Sequence, residues 1–171
     1  MIAVKKYSDQ IKRDARELIE LTDLINRLNE FGEVIVGGSF YYDLMWGPDI
    51  DILIICDNPR IQSVAALRQL VDLRLFQKYE YGDFAKFKRK NRPVAYILNL
   101  ILPFRDQKWE IEVWFTDEYP ENRRKMDDLI KSKLDNKNRQ TILEMKKSRQ
   151  EKGVDKHSLA SVDIYKKVLL E

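Results

Sequence analysis

The chain has 171 residues, of which 44% are hydrophobic and 35% charged, and its formal net charge is +3. This composition is typical of one globular domain and excludes a disordered chain. The longest apolar stretches, 52–56 and 94–102, are well short of the roughly 20 residues that a bilayer requires, so we expect no membrane association. Residues 1–10 contain no apolar core, so we expect no signal peptide.

The chain contains one cysteine and one histidine, which restricts its chemistry. Cys56 cannot form an internal disulfide or a cysteine-based zinc site, which favours a reducing, cytoplasmic location and a role as a buried strand residue. His157 rules out a histidine-rich metal site and argues against a Ser-His-Asp triad. Catalysis, if the chain performs it, must therefore depend on carboxylates.

Hydrophobic periodicity predicts alternating helices and strands. Apolar residues recur at helical spacing in segments 8–30, 40–45, 61–78, 136–150 and 158–170, and Ser8 is the predicted N-cap of the first. A further helix is predicted to begin at Asp117 or Pro120. Segments rich in β-branched and apolar residues are predicted strands: 33–36, 49–56, 94–102 and 108–115, with 83–90 as a further candidate. Residues 103–106 are predicted to form a hairpin turn.

This order of elements predicts an α/β (α+β) fold with a small mixed or antiparallel sheet and helices packed on one face. We expect residues 1–116 to form the core and residues 117–171 a helical C-terminal region packed on it. The oligomeric state stays open, because so small a domain can need a second subunit to complete a binding cleft.

Acidic residues occur in two of the predicted strands. Asp49 and Asp51 point to the same side of their strand, because strand side chains alternate between faces. Two carboxylates held so close need a neutralising partner, and a hard divalent cation such as Mg²⁺ is the simplest one. A third acid from a neighbouring strand, Glu112 or Glu110, would complete a site for two ions roughly 4 Å apart.

A glycine-rich turn, Gly37-Gly38-Ser39, precedes these acids. Backbone N–H groups at a helix start can bind phosphate, helped by the Ser39 hydroxyl, and glycine lets the phosphate approach the chain. Such a turn is weak evidence by itself. Together with the two aspartates about ten residues later, it indicates chemistry on a phosphate-bearing ligand.

Residues 36–39 (VGGS) and 49–54 (DIDILI) resemble the signature of the DNA polymerase beta nucleotidyltransferase superfamily, in its small single-domain type. The resemblance covers residues 32–115, and Glu112 between Ile111 and Val113 matches the third acid of the superfamily. It therefore implies a nucleotidyltransferase-type fold. Glu112 is favoured over Glu110 because apolar residues flank it more completely. Glu110 then faces solvent or contacts the metal-binding side chains without binding the metal itself.

The resemblance also implies an activity: magnesium-dependent transfer of a nucleoside monophosphate, with AMP from ATP favoured, to a hydroxyl of a small molecule, releasing pyrophosphate. Asp49, Asp51 and Glu112 would bind two Mg²⁺ ions, for which Mn²⁺ can substitute. Gly37, Gly38 and Ser39 would bind the phosphates of the nucleotide.

Other readings of the function stay open. They are a protein or tRNA acceptor, and a non-catalytic nucleotide-binding or antitoxin-type partner of the same fold. A nucleic acid partner is not favoured, because a net charge of +3 is low for a nucleic-acid-binding domain.

Aromatic and basic side chains outside these motifs have simpler interpretations. Tyr41, Tyr42 and Trp46 can line the site, but packing is favoured. Trp109 and Trp114 lie on opposite faces of one strand, so at least one is expected in the core. Clustered basic residues are expected on solvated surfaces, and steering of a nucleotide or contact with nucleic acid is the alternative for the first five: Lys86, Lys88, Arg89, Lys90, Arg92, Arg123, Arg124, Lys125, Lys146, Lys147 and Arg149.

Overall fold

The computed structural model describes residues 2–88, 93–154 and 158–171. Its five strands are β1 (Glu33–Gly37), β2 (Asp49–Ile55), β3 (Lys78–Asp83), β4 (Tyr96–Phe104) and β5 (Gln107–Thr116). They form one sheet in the order β1-β2-β5-β4-β3. Only β2 and β5 pair in parallel, and the other neighbours are antiparallel. The predicted mixed sheet is confirmed.

The helices are α1 (Ile2–Thr22), α2 (Leu24–Leu28), α3 (Gly38–Tyr41), α4 (Pro59–Asp72), α5 (Glu121–Lys133), α6 (Asn136–Glu151) and α7 (Ser161–Leu170). Among the described residues, no helix is both long and apolar enough to cross a membrane. The prediction that Ser8 caps the first helix is wrong, because Ser8 lies buried inside α1. The predicted single helix over 8–30 is interrupted at Asp23, whose φ of 51° is left-handed.

The segment around β3 differs from the helix predicted over 61–78 and the strand predicted over 83–90. The helix predicted over 61–78 ends at Asp72, and β3 begins at Lys78, where the chain pairs with β4. The helix ends there because Arg74 takes a left-handed backbone conformation, with a φ of 53°, which cannot continue a right-handed helix. The candidate strand over 83–90 is wrong for its described part, since the chain leaves the strand after Asp83, and residues 89 and 90 lie outside the described residues.

The two faces of the sheet have different surroundings. The side chains of Ile50, Ile52 and Ile54 point to one face and are buried against α1, α2 and α4. Asp49, Asp51 and Leu53 point to the opposite face, as strand alternation requires. The sheet therefore carries its main core on one side and its acidic residues on the other.

The C-terminal helices form a separate apolar cluster. Its buried members are Leu44, Ile130, Ile142, Ile164, Tyr165 and Leu169. Leu44 comes from the loop after α3, so this loop joins the sheet to helices α5, α6 and α7. Helix α6 also packs on α1. The helical region is thereby held beside the acidic face of the sheet, and a cleft remains between them.

Candidate active site

The register between β2 and β5 brings the acidic residues together. Asp49 lies opposite Glu110 and Asp51 opposite Glu112 in the parallel pair. Residues opposite each other in a sheet point to the same face, so all four carboxylates lie on the acidic face. Asp49, Asp51 and Glu112 line a cavity of about 510 Å³. This volume is in the usual range for a site that binds a small ligand.

The two glutamates of β5 have different environments. Glu112 lines the cavity, and its Oε2 accepts a hydrogen bond of 3.2 Å from Trp114 Nε1. Glu110 Oε1 accepts a hydrogen bond of 2.9 Å from the Asn99 amide on β4. Glu110 is not among the described residues that line this cavity. Of the two glutamates, Glu112 therefore lies at the cavity with Asp49 and Asp51, and Glu110 has a partner on the neighbouring strand.

The carboxylates match a divalent cation in chemistry and in backbone placement. They offer only oxygen ligands, which Mg²⁺ prefers. Within residues 2–88, 93–154 and 158–171, no three acidic, histidine or cysteine side chains converge closely enough to form a complete metal site.

The glycine-rich turn lies directly beside the acids. Gly38 has a φ of 60°, a left-handed conformation that favours glycine. A Cβ atom at this position would lie 2.0 Å from Asp51 Oδ2, so the aspartate occupies the space that a side chain would fill. Ser39 is buried at the cavity wall, and among the described atoms its hydroxyl has no hydrogen-bond partner. Because α3 has only four residues, its helix dipole adds little here.

The other wall of the cavity comes from the helical region, which the sequence analysis did not connect with the site. Its lining residues are Asn122, Arg123, Met126, Asp127, Ile130, Ala160, Ser161, Val162, Asp163 and Tyr165. The assignment of Arg123 to a solvated surface is wrong, since its side chain is half-buried against Gly37. Positions 123, 126 and 130 follow helical spacing, so Arg123 lies on the same helix face as buried Ile130. This spacing is the feature of the sequence that could have predicted its burial.

A hydrogen-bonded group ties the two walls together. Tyr42 donates a hydrogen bond of 2.6 Å to Asp127, and the hydroxyl of Tyr119 donates to the other oxygen of this carboxylate. Burial, followed by the bond to Asp127, raises the pKa of Tyr119 to about 12 and raises the pKa of Tyr42 further. Both hydroxyls therefore remain neutral donors at physiological pH.

Lys146 is the clearest departure from the predicted solvated surfaces. Its side chain is buried, and its Nζ donates to the Leu44 carbonyl at 2.7 Å and to the Tyr165 hydroxyl at 2.8 Å. Burial lowers the pKa of Lys146 to about 8, although the charges of Asp49 and Asp51 oppose this shift. Lys146, which looked surface-exposed in the sequence, thus joins α6 to the loop after α3 and to α7.

The aromatic residues divide between packing and the cavity. Trp46 packs on Tyr7 with ring centroids 4.6 Å apart, which agrees with the packing role. Tyr42 lines the cavity, whereas Tyr41 is 57% exposed. Trp109 and Trp114 are both buried, so each face of the sheet holds one.

Two further predictions concern Cys56 and the basic residues that follow β3. Cys56 is half-buried instead of fully buried, because it follows the last residue of β2. Lys86 and Lys88 are exposed, as predicted. Arg89, Lys90, Arg92 and His157 lie outside the described residues.

Comparison with known proteins gives structural matches alone. No sequence model of a known family matches the chain, and no curated protein is significantly similar to it. The Cid1 poly(U) polymerase, solved with magnesium and 3'-dATP, superposes with a TM-score of 0.59 at 15% identity, covering 96% of this chain and 52% of the polymerase chain.

Two other solved structures give similar matches. The polymerase core of TRAMP, an RNA surveillance complex, has a TM-score of 0.60 at 19% identity, with 95% of this chain and 54% of that chain covered. A cytoplasmic RNA terminal U-transferase has a TM-score of 0.54 at 14% identity, with 90% and 48% covered. The chain thus spans about half the length of these structures. The chain shares its fold with these three structures, which agrees with the mixed α/β fold expected from the sequence.

Proposed function

We propose that this protein is a nucleotidyltransferase that transfers a nucleoside monophosphate from a nucleoside triphosphate to a hydroxyl acceptor. The observation that carries the proposal is the parallel register of β2 and β5, which puts Asp51 beside Glu112 at a cavity bounded by Gly38 and Ser39. Carboxylates and a phosphate-binding turn at one cavity are the parts that phosphoryl transfer needs. The solved neighbours with the same fold are named as enzymes of this class.

In this proposal Asp49, Asp51 and Glu112 would hold two Mg²⁺ ions. Magnesium bound there would neutralise the phosphate charges and lower the pKa of the acceptor hydroxyl. Ser39 contributes a buried hydroxyl that needs a partner, and a phosphate oxygen would satisfy it. The backbone N–H groups of the Gly37-Gly38-Ser39 turn, which lies beside Asp51, would bind the phosphates.

We propose a small molecule as the acceptor and ATP as the favoured donor. The cavity wall is rich in carboxylates, and Asp127 and Asp163 add to the three proposed metal ligands. Negative charge of this kind disfavours a polyanionic acceptor and suits a neutral or cationic one. The weak net charge of +3 points the same way. A reducing, cytoplasmic setting belongs to the same proposal.

An RNA 3' hydroxyl is the second candidate acceptor. The observation that favours it is that all three solved neighbours are named as enzymes or complexes that act on RNA. A protein acceptor has no specific observation in its favour.

The test is release of pyrophosphate from each nucleoside triphosphate with Mg²⁺, in the presence of hydroxylated small molecules or of an RNA oligonucleotide. We expect ATP and a small-molecule acceptor to give turnover, and Asp51→Asn to abolish it. Equal turnover by Asp51→Asn would contradict the proposed site. Extension of the oligonucleotide alone would select the second candidate.

A non-catalytic binding protein is separated from an enzyme by the same assay together with thermal unfolding. An enzyme shows a rise in unfolding temperature with ATP and Mg²⁺ as well as turnover, since a ligand that binds the native state stabilises it. A stabilised protein with no turnover on any acceptor would favour the non-catalytic alternative.

A further inference from the structure

Arg123 of α5 reaches across the cleft to the glycine-rich turn. A Cβ atom built on Gly37 would lie 1.7 Å from Arg123 Nη2 and 2.9 Å from Cζ. The guanidinium therefore occupies the space that any larger residue at position 37 would need. The backbone of Gly37 is extended, with a φ of −131°. Glycine is required at this position for space and not for conformation.

The charge around the cavity makes this arginine unusual. The described carboxylates that line the cavity are Asp49, Asp51, Glu112, Asp127 and Asp163. Among the described lining residues Arg123 is the only basic one. An anionic ligand in such a cavity needs positive charge, and the planar fork of a guanidinium matches the oxygens of a phosphate. Arg123 supplies that charge from the helical wall, next to the phosphate-binding turn.

The orientation of Arg123 is supported by its neighbours. Its guanidinium carbon lies 5.9 Å from the ring centroid of Tyr119, within reach of a cation–π contact. The hydroxyl of Tyr119 is bound to Asp127, which also accepts from Tyr42. The ring beneath the guanidinium is therefore held in place before any ligand arrives.

We propose that Arg123 binds the terminal phosphates of the nucleoside triphosphate, and that position 37 is glycine because the guanidinium occupies the space of its Cβ. This inference rests on the proposed nucleotidyltransferase function and adds a binding residue from the helical wall. It also assigns separate tasks to the two glycines. Gly37 makes room for Arg123, and Gly38 makes room for Asp51.

The assignment predicts a coupling between positions 37 and 123. In Gly37→Ala the new methyl group displaces the end of a flexible side chain, so the fold is retained while the guanidinium moves away from the turn. Arg123→Ala and Gly37→Ala should therefore weaken binding of the phosphates to a similar extent. Once Arg123 is absent, Gly37→Ala should do little more, and such a shortfall from additivity is the mark of two residues in contact.

The experiment measures binding of ATP and of inorganic tripolyphosphate, each with Mg²⁺, by titration calorimetry. The variants are Arg123→Ala, Arg123→Lys, Gly37→Ala and the double variant Gly37→Ala/Arg123→Ala. The matched control is Arg124→Ala, which removes the same charge from the next position of α5. Arg124 is exposed and does not line this cavity, but its guanidinium carbon also lies 5.9 Å from the Tyr119 ring centroid, so this control separates the contact with that ring from the position at the cavity. Thermal unfolding of each variant reports whether the fold is intact.

We expect Arg123→Ala to weaken binding of both probes by about 10- to 100-fold, the usual effect of losing a charged hydrogen-bond partner. Arg123→Lys should lie between this variant and the wild type, since it keeps the charge but loses the fork. Gly37→Ala should resemble Arg123→Ala, the double variant should be no weaker than Arg123→Ala, and Arg124→Ala should bind like the wild type.

The contrary outcomes are distinguishable. If the wild type binds ATP and Arg123→Ala binds it equally well, the role of Arg123 is refuted while the proposed function stands. If the effects of Gly37→Ala and Arg123→Ala add in full, the link between the two positions is refuted. If the wild type binds neither probe, the proposed function fails and the role of Arg123 fails with it.

Discussion

The two walls of the cavity are built in different ways. The strand wall takes Asp49 and Asp51 from one strand and Glu112 from its neighbour, and its character is acidic. The helical wall takes residues from α5 and from the start of α7, and it contributes Arg123. The first wall depends on strand alternation, which can be read from a few adjacent residues. The second depends on how distant helices pack, so it shows no comparable local pattern.

The charged side chains of the two regions are stabilised in different ways. Acids on a strand face can be crowded together, because a bound cation can neutralise them. The cations of the helical region are held by protein groups instead. Arg123 at the cavity is held by Tyr119, and Lys146 of α6, which does not line the cavity, is held by Leu44 and Tyr165. We therefore expect substitutions in the strand wall to affect transfer most and those in the helical wall to affect binding and stability. The following predictions test this division.

The largest effect is expected for Glu112→Gln. Loss of this charge should lower the rate of transfer on the order of 1,000-fold, or about 4 kcal/mol, as for removal of one group that stabilises the transition state. Glu110→Gln is the matched control on the same strand face, and it should retain most of the activity because Glu110 contacts Asn99 instead of the cavity. Pyrophosphate release measures both. The reverse order of effects would exchange the roles of the two glutamates.

The next effect concerns the pH dependence of stability through Lys146. Its folded-state pKa of about 8 lies below the ordinary value of 10.5, so the unfolded state binds more protons between these values. The contribution of this group is fully present above about pH 10.5 and is lost as the pH falls through about 8. The free energy that follows from the difference between these two pKa values is on the order of 3 kcal/mol.

Comparison with Lys146→Met isolates this group from others whose pKa values burial raises, namely Tyr42, Tyr119, Tyr165 and Cys56. Urea unfolding between pH 7 and pH 10.5 should show the wild type gaining stability relative to Lys146→Met as the pH rises. A constant difference across this window would show that folding does not lower the pKa of Lys146.

A smaller loss of stability is expected for Gly38→Ala. The left-handed conformation of residue 38 and the collision with Asp51 should together cost about 2 kcal/mol. Gly37→Ala is the matched control and should cost less than about 0.5 kcal/mol, because only the end of the Arg123 side chain has to move. Urea unfolding of the two variants measures the difference. Equal destabilisation would show that the two glycines do not serve separate purposes.

The smallest effects are expected at the contact between the walls. Tyr42→Phe and Tyr119→Phe each remove one hydrogen bond to Asp127 and should each cost about 1 kcal/mol. The double variant should cost more than the sum, because Asp127 then loses both of these tyrosine donors. Thermal unfolding of the three variants would reveal this excess. Simple additivity would mean that water replaces the tyrosines at little cost.

Much of the strand wall could be predicted from the sequence. Strand alternation alone puts Asp49 and Asp51 on one face and Ile50, Ile52 and Ile54 on the other, because the side-chain period of a strand is fixed by its backbone. The choice between Glu112 and Glu110 could not be made in this way. These residues are two positions apart, so alternation puts both on the same face, and only the pairing of β5 with β2 and β4 distinguishes their neighbours.

The sequence by itself therefore determined the elements whose pattern is local: the buried face of β2, the glycine-rich turn and the pair of aspartates. The tertiary structure decided which charged residues leave solvent. Arg123 and Lys146 look like surface residues in the sequence because their neighbours along the chain are polar. Their partners Gly37, Leu44 and Tyr165 come from other elements. A charged side chain is buried only where distant groups satisfy it, and the sequence of one helix does not contain that information.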